Sequence, residues 1–84
     1  MKFRAHIDVM PRPELLDPQG KATTLGLQNL GFEEVDGLRI GKHITLEIEA
    51  KDAAQAEARV DDACKRLLAN LIMESYEFTL EELN

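Results

Sequence analysis

The stretch Ile44-Thr45-Leu46-Glu47-Ile48-Glu49-Ala50 alternates apolar and polar side chains without a break. A period of two puts Ile44, Leu46, Ile48 and Ala50 on one face of a strand and Thr45, Glu47 and Glu49 on the other. This is a strand with one dry side and one wet side, the pattern of an antiparallel sheet. The same alternation governs the start of the chain. Phe3, Ala5, Ile7 and Val9 interleave with Arg4, His6, Asp8 and Met10, and Pro11 and Pro13 close the run because neither can donate to a ladder. Upstream of Gly41-Lys42, residues Phe32 to Ile40 form a less regular third run, with Gly37 as a bulge. The short Gly41-Lys42 turn joins it to the 44–50 strand as a hairpin.

Between these runs the period changes to that of a helix. Asp17 is an N-cap whose carboxylate accepts orphan amide hydrogens, and Pro18 fits the first helical position. Ala22, Leu25, Leu27 and Leu30 carry this helix to Gly31, a C-cap suited to a left-handed backbone. Gly20 and Gly26 each cost helix propensity, about 1 kcal/mol against Ala, which implies close backbone approach at both. Asp52 caps a second helix with a wide apolar stripe through Ala56, Val60, Cys64, Leu67 and Leu71, ending near Asn70. A last strand runs from about Leu71 to Thr79, before the acidic pair Glu81-Glu82.

The order is β-α-β-β-α-β, an α+β fold of ferredoxin-like type, in a single domain over residues 1–84. Two helices are expected on one face of a four-stranded antiparallel sheet, with Arg4, His6, Asp8, Thr45, Glu47 and Glu49 on the other. Tyr76 and Phe78 extend the aromatic parity of the last strand beyond the expected end of a small core. They point to self-association through that strand, or else to an edge strand that finishes the core.

Composition narrows the functions. The chain has 84 residues, 10 basic and 16 acidic, with a net charge of −6, which argues against a dedicated nucleic-acid binder. One cysteine and no tryptophan leave no disulfide framework, no Cys-rich zinc site and few stacking platforms for bases. No apolar run approaches the ~20 residues of a membrane span, and a cytoplasmic location is expected.

Candidate chemistry is thin. His6 lies in period between Arg4 and Asp8, placed to pair with Glu47 or Glu49 across the sheet, on an open surface with no lid. His43 reads as a turn histidine. His6, Asp8, Glu47 and Glu49 are nitrogen and oxygen donors, but no ligand spacing makes them a metal site. Cys64 lies in the helix stripe and reads as a small packed hydrophobe. Asp17-Pro18-Gln19-Gly20-Lys21 invites comparison with a phosphate loop, which fails because Ala22 stands where Ser or Thr would hold magnesium. What remains is a helix N-terminus beside a lysine, either a cap or a place for an anion such as a partner's carboxylate. Arg39, Lys42 and Lys51 are a solvated face or a docking patch for an acidic partner.

Four groups of residues recur together in this order: Asp17-Pro18-Gln19-Gly20-Lys21, Leu30-Gly31, Arg39-x-Gly41-Lys42, and Cys64-x-x-Leu67-Leu68-Ala69-Asn70-x-x-x-Glu74-x-Tyr76. The set resembles the PurS family, the small subunits of multi-subunit phosphoribosylformylglycinamidine synthase, over nearly the whole chain. The family commonly has Pro after the asparagine; here Leu71 leaves the backbone leading into the last strand unfixed.

The resemblance implies a non-catalytic adaptor in de novo purine synthesis. Its complex converts formylglycinamide ribonucleotide, glutamine and ATP to formylglycinamidine ribonucleotide. A large synthetase subunit uses ATP and Mg, a glutaminase subunit releases ammonia, and this chain has no cofactor of its own. It is expected to be a dimer or tetramer that joins the two and helps enclose the ammonia path. Asp17, Gln19, Lys21, Arg39, Lys42 and Glu74 would be contact or framework residues. Pro18, Gly20, Gly41 and Asn70 would set backbone geometry, with Tyr76 and Phe78 at the association strand. The competing readings are a dimeric small-molecule sensing module and a stand-alone enzyme using His6 with Asp8.

Overall fold

The computed structural model describes residues 1–83. Its elements are β1 (Lys2–Pro11), α1 (Pro18–Asn29), β2 (Lys42–Glu49), α2 (Ala53–Ala63) continued by a π-helical turn (Cys64–Leu68), and β3 (Glu74–Leu83). The sheet order is β2-β1-β3, antiparallel throughout, with the first strand in the centre. The α+β class, the antiparallel sheet and the two helices agree with the sequence.

The register explains the core. Ile7 faces Ile44 on one side and Phe78 on the other; Ala5 faces Leu46 and Leu80; Val9 faces Tyr76. Flanked on both sides, Phe3, Ala5, Ile7 and Val9 are at most 2% exposed. The second helix lies over this face and adds Ala56, Val60 and Cys64, all fully buried. Asp52 caps it as expected, accepting from the Gln55 amide at 2.8 Å. The π turn closes through Ala69 N to Cys64 O at 3.0 Å. Five residues make rather more than one π turn, so Cys64 and Ala69 return to nearly the same side and both reach the core.

The expected strand over Phe32 to Ile40 is not formed, so the sheet has three strands and the 44–50 strand pairs with β1 rather than in a hairpin. Its backbone bonds outside any ladder instead: Val35 N donates to Phe32 O at 3.1 Å, Gln28 Nε2 donates to Val35 O at 2.9 Å, and Ile40 N donates to the Asp17 carboxylate. Gly37 takes a left-handed φ of +67° in irregular chain and is not a bulge. The last strand begins at Glu74 rather than Leu71. Asn70 holds the turn before it, with Met73 N and Glu74 N donating to its carbonyl and Ile72 N to its Oδ1.

The two helices do not share one packed layer. The first ends as its sequence requires: Gly31 takes φ +102°, Gly31 N bonds to Gln28 O and Phe32 N to Leu27 O, a Schellman closure. Yet it buries only Gly20, while Leu25, Leu30 and Phe32 are 54%, 76% and 49% exposed. Gly26, expected at a close approach, has nothing near it. The result is elongated, 51 × 28 × 14 Å with a radius of gyration of 16.5 Å. A compact chain of this length has a radius near ~12 Å. The exposed area of 6035 Å² likewise exceeds the roughly 5,000 Å² of a folded monomer of this mass.

Candidate functional site

Two segments singled out in the sequence, around Asp17 and around Arg39, meet at the end of the sheet where β1 leaves it. Asp17 is the hub. Its Oδ1 accepts from Gly20 N at 3.0 Å, capping α1, and its Oδ2 accepts from Ile40 N at 3.1 Å. Those two amides, helped by Arg39, hold the carboxyl below its ordinary range. The anion at this helix N-terminus is thus the chain's own Asp17, and the N-terminus is not vacant for a partner's carboxylate.

Arg39 closes the junction. Its Nη2 donates to Arg12 O at 2.9 Å and Pro11 O at 3.3 Å, its Nη1 to Pro13 O at 3.3 Å, and its Nε lies 3.6 Å from Asp17 Oδ2. A planar fork suits this, since prolines break the ladder and leave carbonyls that need donors. Arg39 therefore faces inward and does not join Lys42 and Lys51 in a docking patch. Two glycines make the approach possible. A Cβ on Gly20 would meet Leu38 O and the Asp17 carboxylate, and one on Gly41 would meet Val9 O and Met10.

The last strand ties into the same end. Glu74 accepts from Asn70 N at 2.8 Å and lies 3.9 Å from Lys42 Nζ. Arg12 donates twice to Leu71 O, from Nε at 3.0 Å and Nη2 at 2.7 Å. That clasp fixes the turn at Leu71 from outside, where a proline would fix it from within. A cleft of ≈ 430 Å³ opens here, lined by Leu15, Leu16, Pro18, Gln19, Asn70, Met73 and Glu74 among others. Nine of the expected residues, Asp17, Pro18, Gln19, Gly20, Arg39, Gly41, Lys42, Asn70 and Glu74, thus gather at one end. Lys21 is exposed on the first turn of α1. Arg12, Leu16 and Met73 escape sequence reasoning, because an irregular stretch carries no period; the paired prolines around Arg12 were the only signal of unmet carbonyls.

Tyr76 and Phe78 lie further along β3, with their rings turned onto the core and nearly parallel at 6.5 Å. The aromatic pair therefore packs against the core while staying part-exposed beside the free edge of β3. Tyr76 Oη donates to Asp61 Oδ1 at 2.5 Å. That bond favours the neutral phenol and pushes its pKa up to about 12, while Tyr76 and Lys65 together lower that of Asp61. Burial raises the Cys64 thiol, as suits a packed cysteine.

The polar sheet face carries the expected residues. Arg4 lies 3.0 Å from Glu47 and 3.6 Å from Glu81, a bond that lowers Glu47 and raises Arg4. His6 pairs with Glu81 at 3.1 Å, not with Glu47 or Glu49; the register sets Glu47 and Glu81 both opposite Arg4, and Arg4 takes Glu47. His43 is a strand residue, 2.6 Å from Asp8, rather than a turn histidine. The two imidazole rings lie 6.1 Å apart, stacked on an open face. Among the described residues no group of three donors is placed to hold a metal ion, and no helix is long and apolar enough to cross a membrane.

The geometry defines a small α+β interaction module: a braced sheet, a projecting arm fixed at its root, and a cleft between them. The chain belongs to the PurS family of phosphoribosylformylglycinamidine (FGAM) synthase, whose profile matches residues 4–82. It is 44% identical over 81 residues to the phosphoribosylformylglycinamidine synthase subunit PurS of Synechocystis, covering 96% of this chain and 81% of that protein. Its structure superposes on Bacillus subtilis PurS with a TM-score of 0.87 at 35% identity, covering 95% of this chain and 99% of the other. It also superposes on a chain of Thermotoga maritima PurLQS with a TM-score of 0.89 at 36% identity, covering 96% and 99%.

Proposed function

We propose that this chain is the non-catalytic small subunit of a phosphoribosylformylglycinamidine synthase, joining a synthetase and a glutaminase subunit in purine synthesis in the cytoplasm. Formylglycinamide ribonucleotide, glutamine and ATP enter the assembly, and formylglycinamidine ribonucleotide leaves it. ATP and Mg serve the assembly, and no cofactor is assigned to this chain. The observation that supports this most is the likeness to a chain of PurLQS, taken with a shape that leaves much apolar surface uncovered.

The physical need is clear. Ammonia protonates in water and ceases to be a nucleophile, so its passage between two sites requires a closed, dry route. A module that fixes two larger bodies at a set distance supplies that. In this reading the chain also self-associates. The arm offers Leu25, Leu30 and Phe32, and β2 offers half-buried Ile44, Leu46 and Ile48, for a second copy to cover. Mixing the purified chain with its cognate synthetase and glutaminase subunits tests the proposal. Glutamine-dependent turnover is expected only with all three present; equal turnover without this chain refutes the adaptor role.

A further inference from the structure

The outer edge of β3 has no neighbour in the sheet. Proteins usually blunt such edges with short strands, prolines, bulges or lysines. This edge has none of those: it runs ten residues, Glu-Ser-Tyr-Glu-Phe-Thr-Leu-Glu-Glu-Leu, in unbroken one-to-one register with β1. What guards it is charge of a single sign, Glu77, Glu81 and Glu82.

A groove of ≈ 610 Å³ follows the edge between β3 and α2. Tyr76, Phe78 and Leu80 form its apolar floor, and Glu57 and Asp61 of the second helix form its wall. Glu77 also lines it, although it belongs to the opposite parity of the strand. The groove therefore wraps over the free backbone edge rather than lying on one face. Tyr76 is held in place by Asp61.

We propose that this edge and groove receive an extended segment of one of the larger synthase subunits, added as a fourth strand and carrying Lys or Arg beside apolar residues. Main-chain groups of β3 that point away from β1 supply the ladder, as in strand addition generally. Apolar side chains of the segment continue the face of Phe78 and Leu80, and its cations meet Glu57 and Glu77. The charge selects the occupant. A second copy of this edge would bring a strand with four glutamates and no cation beside the same strand and the acidic groove, which opposes pairing. The inference rests on the synthase reading, of which it names one contact.

The test uses the full chain and its cognate subunits, with complex formation followed by titration at low and moderate salt. Glu57→Lys/Glu77→Lys reverses two exposed charges of the groove, and Glu33→Lys/Glu34→Lys makes the same net change on the arm's turn. Circular dichroism and solution mass establish that each variant keeps its fold. The expected result is binding at least tenfold weaker for the groove variant, with the control near wild type and the salt dependence reduced only in the groove variant. The milder Glu57→Gln/Glu77→Gln variant replaces the reversal if that one misfolds, with a several-fold loss expected. Wild-type binding by the groove variant, or equal weakening by the control, overturns the inference while leaving the synthase reading intact. Loss of the chain's own oligomeric mass in the groove variant also overturns it, by assigning the edge to a second copy. If the unmodified chain binds neither subunit, both readings fall.

Discussion

On the inner face of β1 every apolar side chain finds cover; along α1 and the chain that follows it, few do. Ile7 and Val9 are wholly buried beneath Val60 and Cys64, whereas Leu25 and Leu30 leave more than half their surface in water. Both halves nonetheless carry regularly spaced apolar side chains, at strand period in one and helical period in the other. The difference lies in what the chain brings against them: two flanking strands and a helix in one case, only the short stretch after α1 in the other. The arm is ordered by its root, through Asp17, Arg39 and two glycines, rather than by packing along its length. Such a half-covered body is suited to assembly with other chains.

The sharpest way to break this contrast is to shorten one side chain in each half. Ile7→Ala is expected to lower unfolding free energy by about 2–5 kcal/mol in denaturant titration. Leu30→Ala is expected to change a dilute, unassociated sample by less than about 0.5 kcal/mol, while reducing self-association in sedimentation. Equal losses would mean the arm is packed within the single chain. Next come the root glycines. Gly41→Ala forces Val9 O and Met10 apart and is expected to cost about 1–3 kcal/mol, read from thermal and denaturant unfolding. Gly26→Ala, in open space on the same helix that holds Gly20, is expected to gain up to about 1 kcal/mol. A loss there would show that something covers the arm.

Two titrations sharpen the comparison at smaller scale. Asp17 is held below its ordinary pKa, so its junction contributes fully above the unfolded value near ~4 and fades as pH falls through the folded one. Thermal midpoints of the wild type should therefore drop more on acidification than those of Asp17→Asn, which should be the less stable protein at neutral pH. Tyr76 is the sole tyrosine and there is no tryptophan, so ultraviolet absorbance reports its ionisation alone. The midpoint is expected near 12, returning toward ~10 in Asp61→Asn. Because the folded value is raised, this bond stabilises below ~10 and is lost as pH climbs through about 12. An unshifted midpoint in the wild type would detach Tyr76 from α2.

Strands with a strict period were legible because alternation needs no partner to be recognised: β1 and β2 appear where Phe3–Val9 and Ile44–Ile48 put them. Caps were legible for the same reason, since Asp17, Asp52 and Gly31 act within their own turns. The stretch from Phe32 to Ile40 was not, because extended backbone becomes a strand only when it pairs with a ladder, and this one bonds elsewhere. His6 shows the limit at one residue. Its face was plain from parity, but its partner, Glu81, depended on the register of both neighbouring strands and on Arg4 taking Glu47. In the candidate site, Asp17 and Arg39 each carried a signal, yet nothing local required the one to lie 3.6 Å from the other.

The order of residues alone thus determined the elements, their faces and their ends, all properties of neighbours within a few positions. The tertiary structure alone decided that the first strand lies in the middle, that the arm stands clear of the sheet, and that the outer edges of β2 and β3 stay open. Those depend on contacts between distant parts of the chain, whose free energy is a sum over surfaces that no short stretch contains.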